Sequence, residues 1–220
     1  SGTVFTSNGG DITLGGGATP ATVAAIGTAA NLHGVEMNNA ALNAGGGSIS
    51  VIGTGSNTST GQRGLEIYGG STIQTSGTGT IALTGTGGAA GSVNFGVRLD
   101  GATTLVTSSG SGAITVIGTG GAVASGINMG IDLSGGAKIT STGTSTITVT
   151  GTGGAGTTSQ GNGVRLIGAN SNIESVSGAI TITGTAAGSG ADAEGVSFFD
   201  SGGAAGNVIS TGSATISITG

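Results

Sequence analysis

The sequence predicts an all-β fold, a parallel β-helix or β-solenoid with about 33 residues and three strands per rung. Three observations carry that expectation. One phrase returns at constant spacing, as GAITVIGTGG at 112–121, STITVTGTGG at 145–154 and GAITITGTAA at 178–187. Each unit holds three short stretches in which apolar and small polar residues alternate, the period of a strand with one buried face. Finally, 52 of the 220 residues are glycine, while only 6% are charged and 2% aromatic. Such a chain suits tightly stacked backbone and is poor in the acids, bases and rings of ordinary catalytic sites.

The first strand of each unit follows a glycine: Gly34-Val35-Glu36-Met37, Gly64-Leu65-Glu66-Ile67, Gly96-Val97-Arg98-Leu99, Gly130-Ile131-Asp132-Leu133, Gly163-Val164-Arg165-Leu166 and Gly195-Val196-Ser197-Phe198. The second strand is expected to turn Leu42, Ile73, Leu105, Ile139, Ile173 and Val208 inward. The third supplies the pairs Ile49/Val51, Ile81/Leu83, Ile114/Val116, Ile147/Val149, Ile180/Ile182 and Ile216/Ile218. β-Branched residues dominate these positions, as strand geometry favours. Strands matched to their counterparts one unit later stack ~4.8 Å apart, so six to seven rungs make a rod roughly 30 Å long. Glycine is assigned to the corners, where positive φ carries no steric cost. Gly-Thr-Gly at 53–55, 85–87, 118–120 and 151–153 then places Thr54, Thr86, Thr119 and Thr152 in one row, continued by Thr185. One unit has too few inward aliphatics to offset the entropy of ordering its backbone, so each rung needs its neighbours.

Other classes fit less well. Apolar residues make up 35% of the chain and mean hydropathy is +0.33, unlike a disordered segment. A propeller calls for aromatic signatures, a leucine-rich repeat for its leucine consensus, and the calcium-binding nonapeptide repeat for far denser aspartate. Cysteine is absent, which removes disulfides and thiolate metal sites. Apolar runs are only a few residues long, too short for a membrane-spanning helix. The only cations besides His33 are Arg63, Arg98, Lys138 and Arg165 in a chain of net charge −5. They supply no phosphate-binding stripe, so nucleic acid is not an expected partner, and no cofactor is implied. No charged-then-apolar leader opens at Ser1, so a secretory signal is expected to be absent or removed. Residues 1–220 are expected to form a single β-solenoid segment, part of a longer repetitive chain or a stacking subunit, because SGTVFTSNGGDITL and SATISITG begin and stop within a rung without a polar cap.

The GVRLxGA and GAITVxGTGG phrases, spread over nearly the whole chain, resemble those of the long repetitive exoproteins of bacteria. These are the filamentous-haemagglutinin-like adhesins and the passenger regions of autotransporters. The resemblance implies a right-handed β-helix, export to the cell surface, and a role in adhesion, biofilm or a surface fibre. An Asn-Pro-Asn-Gly secretion motif and a β-barrel translocator are not found in this sequence. The expected function is a non-enzymatic extracellular structural or adhesive protein, a surface adhesin stalk or fibre. The alternatives are an ice- or mineral-binding β-solenoid and a polysaccharide-acting β-helix enzyme. Expected partners are other copies end to end, or continuation of the same chain, and a host or surface glycan or protein.

Several positions are candidates for a site. The outward residue of the first strand reads Glu36, Glu66, Arg98, Asp132, Arg165, Ser197, alternating in sign from Glu66 to Arg165. A structural charge ladder is expected there rather than a binding stripe. Glu36 beside Glu66 breaks the alternation. Two carboxylates could hold a cation, but solvation is the simpler expectation. The outer face of the third strand carries hydroxyl rows (Thr146, Thr148, Thr150; Thr181, Thr183; Thr215, Ser217, Thr219) interrupted by Ile52, Ala82, Ala113, Ile117 and Ala179. Asp192 and Glu194 lie together, as do Phe198, Phe199 and Asp200, without a dense acid–base set nearby. His33 is expected in a loop or corner, and Tyr68 facing solvent. The segments before the first strand, GSNTSTGQR, GGAAGSVNF, GGAVASGINM and GTTSQGN, vary in length and mark the edge expected to meet partners. Ile216 and Ile218 are the expected self-stacking edge, because unpaired strand edges template further strands.

Overall fold

The computed structural model describes residues 2–123, 126–156, 160–190, 192–200, 202 and 204–220. Regular structure among them is entirely β, and every strand pairing is parallel. The first sheet stacks Val35–Asn38, Leu65–Tyr68, Val97–Asp100, Ile131–Ser134, Val164–Ile167 and Val196–Phe199. The second stacks Thr3–Thr6, Ala40–Asn43, Thr72–Thr75, Leu105–Ser108, Lys138–Ser141, Asn172–Ser175 and Asn207–Ser210. In the third, Ile12–Leu14 and Ala25–Ile26 both pair with Ile49–Thr54, followed by Ile81–Thr86, Ile114–Thr119, Ile147–Thr152, Ile180–Thr185 and Ile216–Thr219. This is a β-solenoid of about six turns.

Alternation produces these strands directly. In Ile114–Thr119 the inward Ile114 and Val116 are fully buried, whereas Ile117 and Thr119 are exposed. The same side chain recurs one rung on: Ile81, Ile114, Ile147 and Ile180 are consecutive register partners. The core is therefore a set of aliphatic columns along the rod, each residue covered above and below by its equivalent.

One expected column is displaced. Val106, not Leu105, stands between Ile73 and Ile139 and is fully buried, while Leu105 pairs with Thr72 and Lys138 on the outer face. The turn after Asp100 carries one residue more than its neighbours, so counting forward from Gly96 lands one position short. Side chains alternate with period two, and a single added residue exchanges inside for outside. In the shorter turns, Gly69-Gly70 and Gly135-Gly136 both adopt positive φ. A hydroxyl two residues before the inward position closes the turn. Ser71 Oγ donates to Tyr68 O at 2.7 Å, Thr104 Oγ1 to Asp100 O at 2.7 Å and Ser171 Oγ to Ile167 O at 2.8 Å.

The glycines of the Gly-Thr-Gly phrases also differ from expectation. Gly53, Gly85, Gly118, Gly151 and Gly184 lie inside strands and form an inward column. A Cβ on Gly118 would stand 2.2 Å from Gly130 O, and one on Gly96 would stand 2.3 Å from Thr119 N. Two glycine columns thus face each other, backbone against backbone, where the third and first sheets meet. Close approach, rather than a left-handed turn, explains the repeat of glycine there. The intervening Thr54, Thr86, Thr119, Thr152 and Thr185 do form one row, on the outside.

Candidate functional site

The outer face of the first sheet brings Glu66, Arg98, Asp132 and Arg165 into one column, each the direct partner of the next. Arg98 bridges two rungs, with Nη1 at 3.0 Å from Glu66 Oε1 and Nε at 3.3 Å from Asp132 Oδ2. Arg165 closes on Asp132 Oδ1 at 2.8 Å. The carboxylates are deeply covered, Glu66 and Asp132 side chains being 5% and 2% exposed. The arginines paired with them are more open, at 15–25% exposed. Two further residues complete the ladder without having been legible in its alternation. Arg63 Nε lies 2.8 Å from Glu66 Oε2 and its guanidinium sits 5.4 Å over the Phe95 ring. Gln160 Oε1 accepts from Arg165 Nη1 at 3.1 Å. Both lie in the segment just before the first-strand glycine, which therefore folds onto this face.

Burial and charge compete along the ladder. Desolvation raises the pKa of Glu66 and outweighs the nearby Arg63 and Arg98. Burial also opposes charge on Arg98, yet Glu66, Asp100 and Asp132 together push its pKa up. The same ion pair acts differently on its two members because Arg98 is shared among three carboxylates while Glu66 is the more deeply buried. For Arg63, burial prevails and lowers the pKa. His33 sits in the loop before Gly34, its Nδ1 accepting from the Arg63 backbone N–H at 3.3 Å, and its pKa is lowered by burial and by Arg63.

Glu36 and Glu66 are register partners, but their carboxylates are directed to different groups. Tyr68 Oη donates to Glu36 Oε1 at 2.8 Å, while Glu66 turns to the arginines. Among the described residues, no three Asp, Glu or His side chains converge on a shared point where a metal ion would sit. Asp192, with φ 64, and Glu194 lie apart in role: Glu194 accepts from Asn162 Nδ2 at 3.3 Å.

A second ladder runs inside the corner preceding the first sheet. Asn94 Oδ1 accepts from the Gln62 backbone N–H at 3.0 Å, and Asn128 Oδ1 accepts from the Asn94 N–H at 3.3 Å. Gln62, Asn94 and Asn128 are fully buried. Their signal in the sequence is an asparagine two positions before Gly96 and Gly130, Gln62 joining the ladder through its backbone N–H alone. The loops GGAVASGINM and GTTSQGN include Ala124, Ser125 and Thr157–Ser159, which lie outside the described residues.

On the third sheet the outward positions form an uncharged lattice. One column reads Ser50, Ala82, Thr115, Thr148, Thr181, Ser217 and the next Ile52, Thr84, Ile117, Thr150, Thr183, Thr219. With the unbroken row from Thr54 to Thr185, three columns run side by side, the first interrupted by Ala82 and the second by Ile52 and Ile117. At the ends of the rod, Ile216 and Ile218 pair with Ile180 and Ile182 on one side only and are 43% and 42% exposed. Val4, Phe5, Phe198 and Phe199 are likewise exposed.

Comparison with protein-family models, curated proteins and solved structures finds no match for this chain. The structure defines the class: a β-solenoid repeat protein, with a buried ionic ladder on one face and a hydroxyl lattice on another. Among the described residues, no helix is long and apolar enough to cross a membrane.

Proposed function

We propose that the chain is a non-enzymatic structural and adhesive solenoid of a bacterial cell surface, a stalk or fibre-forming rod held outside the cell. The observation that supports this reading is the uninterrupted register of the three sheets. Each further rung adds ~4.8 Å of length without altering the cross-section, which is how a chain gains reach from a surface. The resemblance of its phrases to bacterial exoproteins points the same way. To test it, beads coated with the protein are presented to host cells and to glycan-coated surfaces. Attachment above that of bare beads is expected. Attachment no better than bare beads removes the adhesive part, and sugar release from a polysaccharide panel removes the non-enzymatic part.

In this reading, a rung of another copy, or the next residues of the same chain, continues the helix at the edge bearing Ile216 and Ile218, because exposed parallel edges accept further strands; between copies, such head-to-tail contacts give open filaments. The double variant Ile216→Lys, Ile218→Lys places charge on that edge. Electron microscopy is expected to show shorter or no filaments for it, and equal filaments would exclude this edge as the junction.

The hydroxyl lattice favours a second reading, an ice- or mineral-binding face. Its columns repeat at ~4.8 Å between rungs and its alternate residues at roughly 6.6–6.8 Å along a strand, and threonine presents both a methyl and a hydroxyl at Thr148, Thr150, Thr152, Thr181, Thr183 and Thr185. Thermal hysteresis that disappears in Thr150→Arg, placed mid-lattice, would favour it. Ordinary freezing behaviour of the unaltered protein would dismiss ice as the ligand.

A further inference from the structure

On the outer face of the second sheet, Lys138 and Asn172 are direct register partners on neighbouring strands. Both engage the same oxygen: Lys138 Nζ lies 3.4 Å from Glu174 Oε1, and Asn172 Nδ2 donates to it at 2.8 Å. One rung further, Asn207 Nδ2 donates to Asn172 Oδ1 at 3.2 Å. Asn172 is 6% exposed, so its carboxamide is held in one orientation, while the Lys138 and Glu174 side chains are 36% and 26% exposed. A primary amine, a carboxamide and a carboxylate therefore share one patch. The carboxamide oxygen receives a hydrogen bond that draws electron density from Cγ, and its nitrogen rests on a group able to carry protons.

We propose that Lys138 and Asn172 join in an intramolecular isopeptide bond that covalently ties two adjacent rungs. Glu174 takes a proton from the Lys138 ammonium, and the freed Nζ lone pair attacks Asn172 Cγ. The oxyanion that develops on Oδ1 is stabilised by Asn207 Nδ2–H. Glu174 passes its proton to Nδ2, then removes the second proton from Nζ and delivers it to the departing nitrogen. The Nζ–Cγ bond forms, the Cγ–Nδ2 bond breaks and ammonium leaves, with no change of oxidation state. Fixed adjacency makes amide exchange intramolecular, replacing an encounter that would be far too dilute in solution. The inference goes beyond the proposed rod, and that reading stands whether or not the bond forms.

Intact-mass spectrometry of the unaltered protein is the test. The expected mass is lower than that of the sequence by one ammonia. Trypsin, unable to cut after an acylated Lys138, should leave residues 99–165 joined to the peptide that starts at Leu166. Lys138→Arg retains a cation beside Glu174 but removes the attacking amine and should restore the sequence mass, as should Glu174→Gln. Circular dichroism establishes that both variants keep the β spectrum. An unaltered protein that stays at its sequence mass through prolonged incubation overturns the proposal. So does an ammonia loss that persists in Lys138→Arg, which would place it elsewhere, for example in a succinimide at Asn8-Gly9.

Discussion

The outer faces of the first and third sheets stand on the same rungs, yet they specify register by opposite means. On the first, the charged positions from Glu66 to Arg165 have partners of their own: Asp132 lies between Arg98 and Arg165, and Glu66 between Arg63 and Arg98. Omitting one rung would set Arg98 against Arg165. On the third, neighbouring rungs present nearly the same threonines, and a slip by a whole rung would alter little outside. What holds that sheet is internal, in the two glycine columns whose backbones touch. A repeat protein risks pairing the wrong rungs, because every rung resembles the next. Here the aliphatic and glycine columns supply the shape of a rung, and the buried charges distinguish one rung from another.

The contrast can be broken most severely at the glycines. Gly118→Val would drive a side chain into Gly130 O, 2.2 Å from its Cβ. A loss of roughly 3 kcal/mol or more is expected, because backbone cannot yield as side chains do. The adjacent outward Thr119→Val should stay within about 0.5 kcal/mol. Urea unfolding followed by circular dichroism measures both, and a tolerated valine at 118 would refute the facing columns.

Next in size is the ladder. Asp132→Ala leaves Arg98 and Arg165 opposed without their shared carboxylate. Complete burial would make the cost about 3–5 kcal/mol, and the partial exposure of both arginines reduces the expectation to about 2–3 kcal/mol. Thr148→Ala, on the same rung in the third sheet's lattice, should change stability by about 0.5 kcal/mol or less. Equal effects at the two sites would erase the distinction between the faces.

A comparable loss is expected within the second sheet, where Val106→Ala should cost about 2 kcal/mol and Leu105→Ala under about 1 kcal/mol. The reverse order would move the register by one residue.

The smallest effect concerns pH. Folding lowers the pKa of His33 from its ordinary 6.5. Between the lowered value and 6.5 the unfolded chain binds a proton that the folded chain refuses, so stability rises with pH across that window and is lost on acidification through it. His33→Gln should flatten this part of the pH–stability curve by a few tenths of a kcal/mol. An unchanged slope would assign the dependence to another group.

Much of this was legible in the chain. Alternation and the repeat of about 33 residues place the strands of all three sheets, because a strand's period is a local property and each rung copies the last. The ladder from Glu66 to Arg165 follows from the outward position alone. Leu105 shows the limit. Forward spacing from Gly96 points to it, but counting back eight residues from Ile114, as from Ile81 to Ile73, finds Val106. Turn length is invisible to alternation until the next strand fixes it. Arg63 and Gln160 were missed because they stand in irregular segments, where no period tells which way a side chain points.

Fold class, rung length and the aliphatic columns of the first and third sheets were thus determined by the sequence itself, since short-range periodicity dictates which face of each strand leaves water. Tertiary structure decided what depends on contacts between rungs. It set the burial of Glu66 and Asp132 against their own arginines, the glycine columns in mutual contact, the amide ladder through Asn94 and Asn128, and the meeting of Lys138 with Asn172. Those features arise from residues a full rung apart in the chain, and only the closure of each turn at its actual length brings them together.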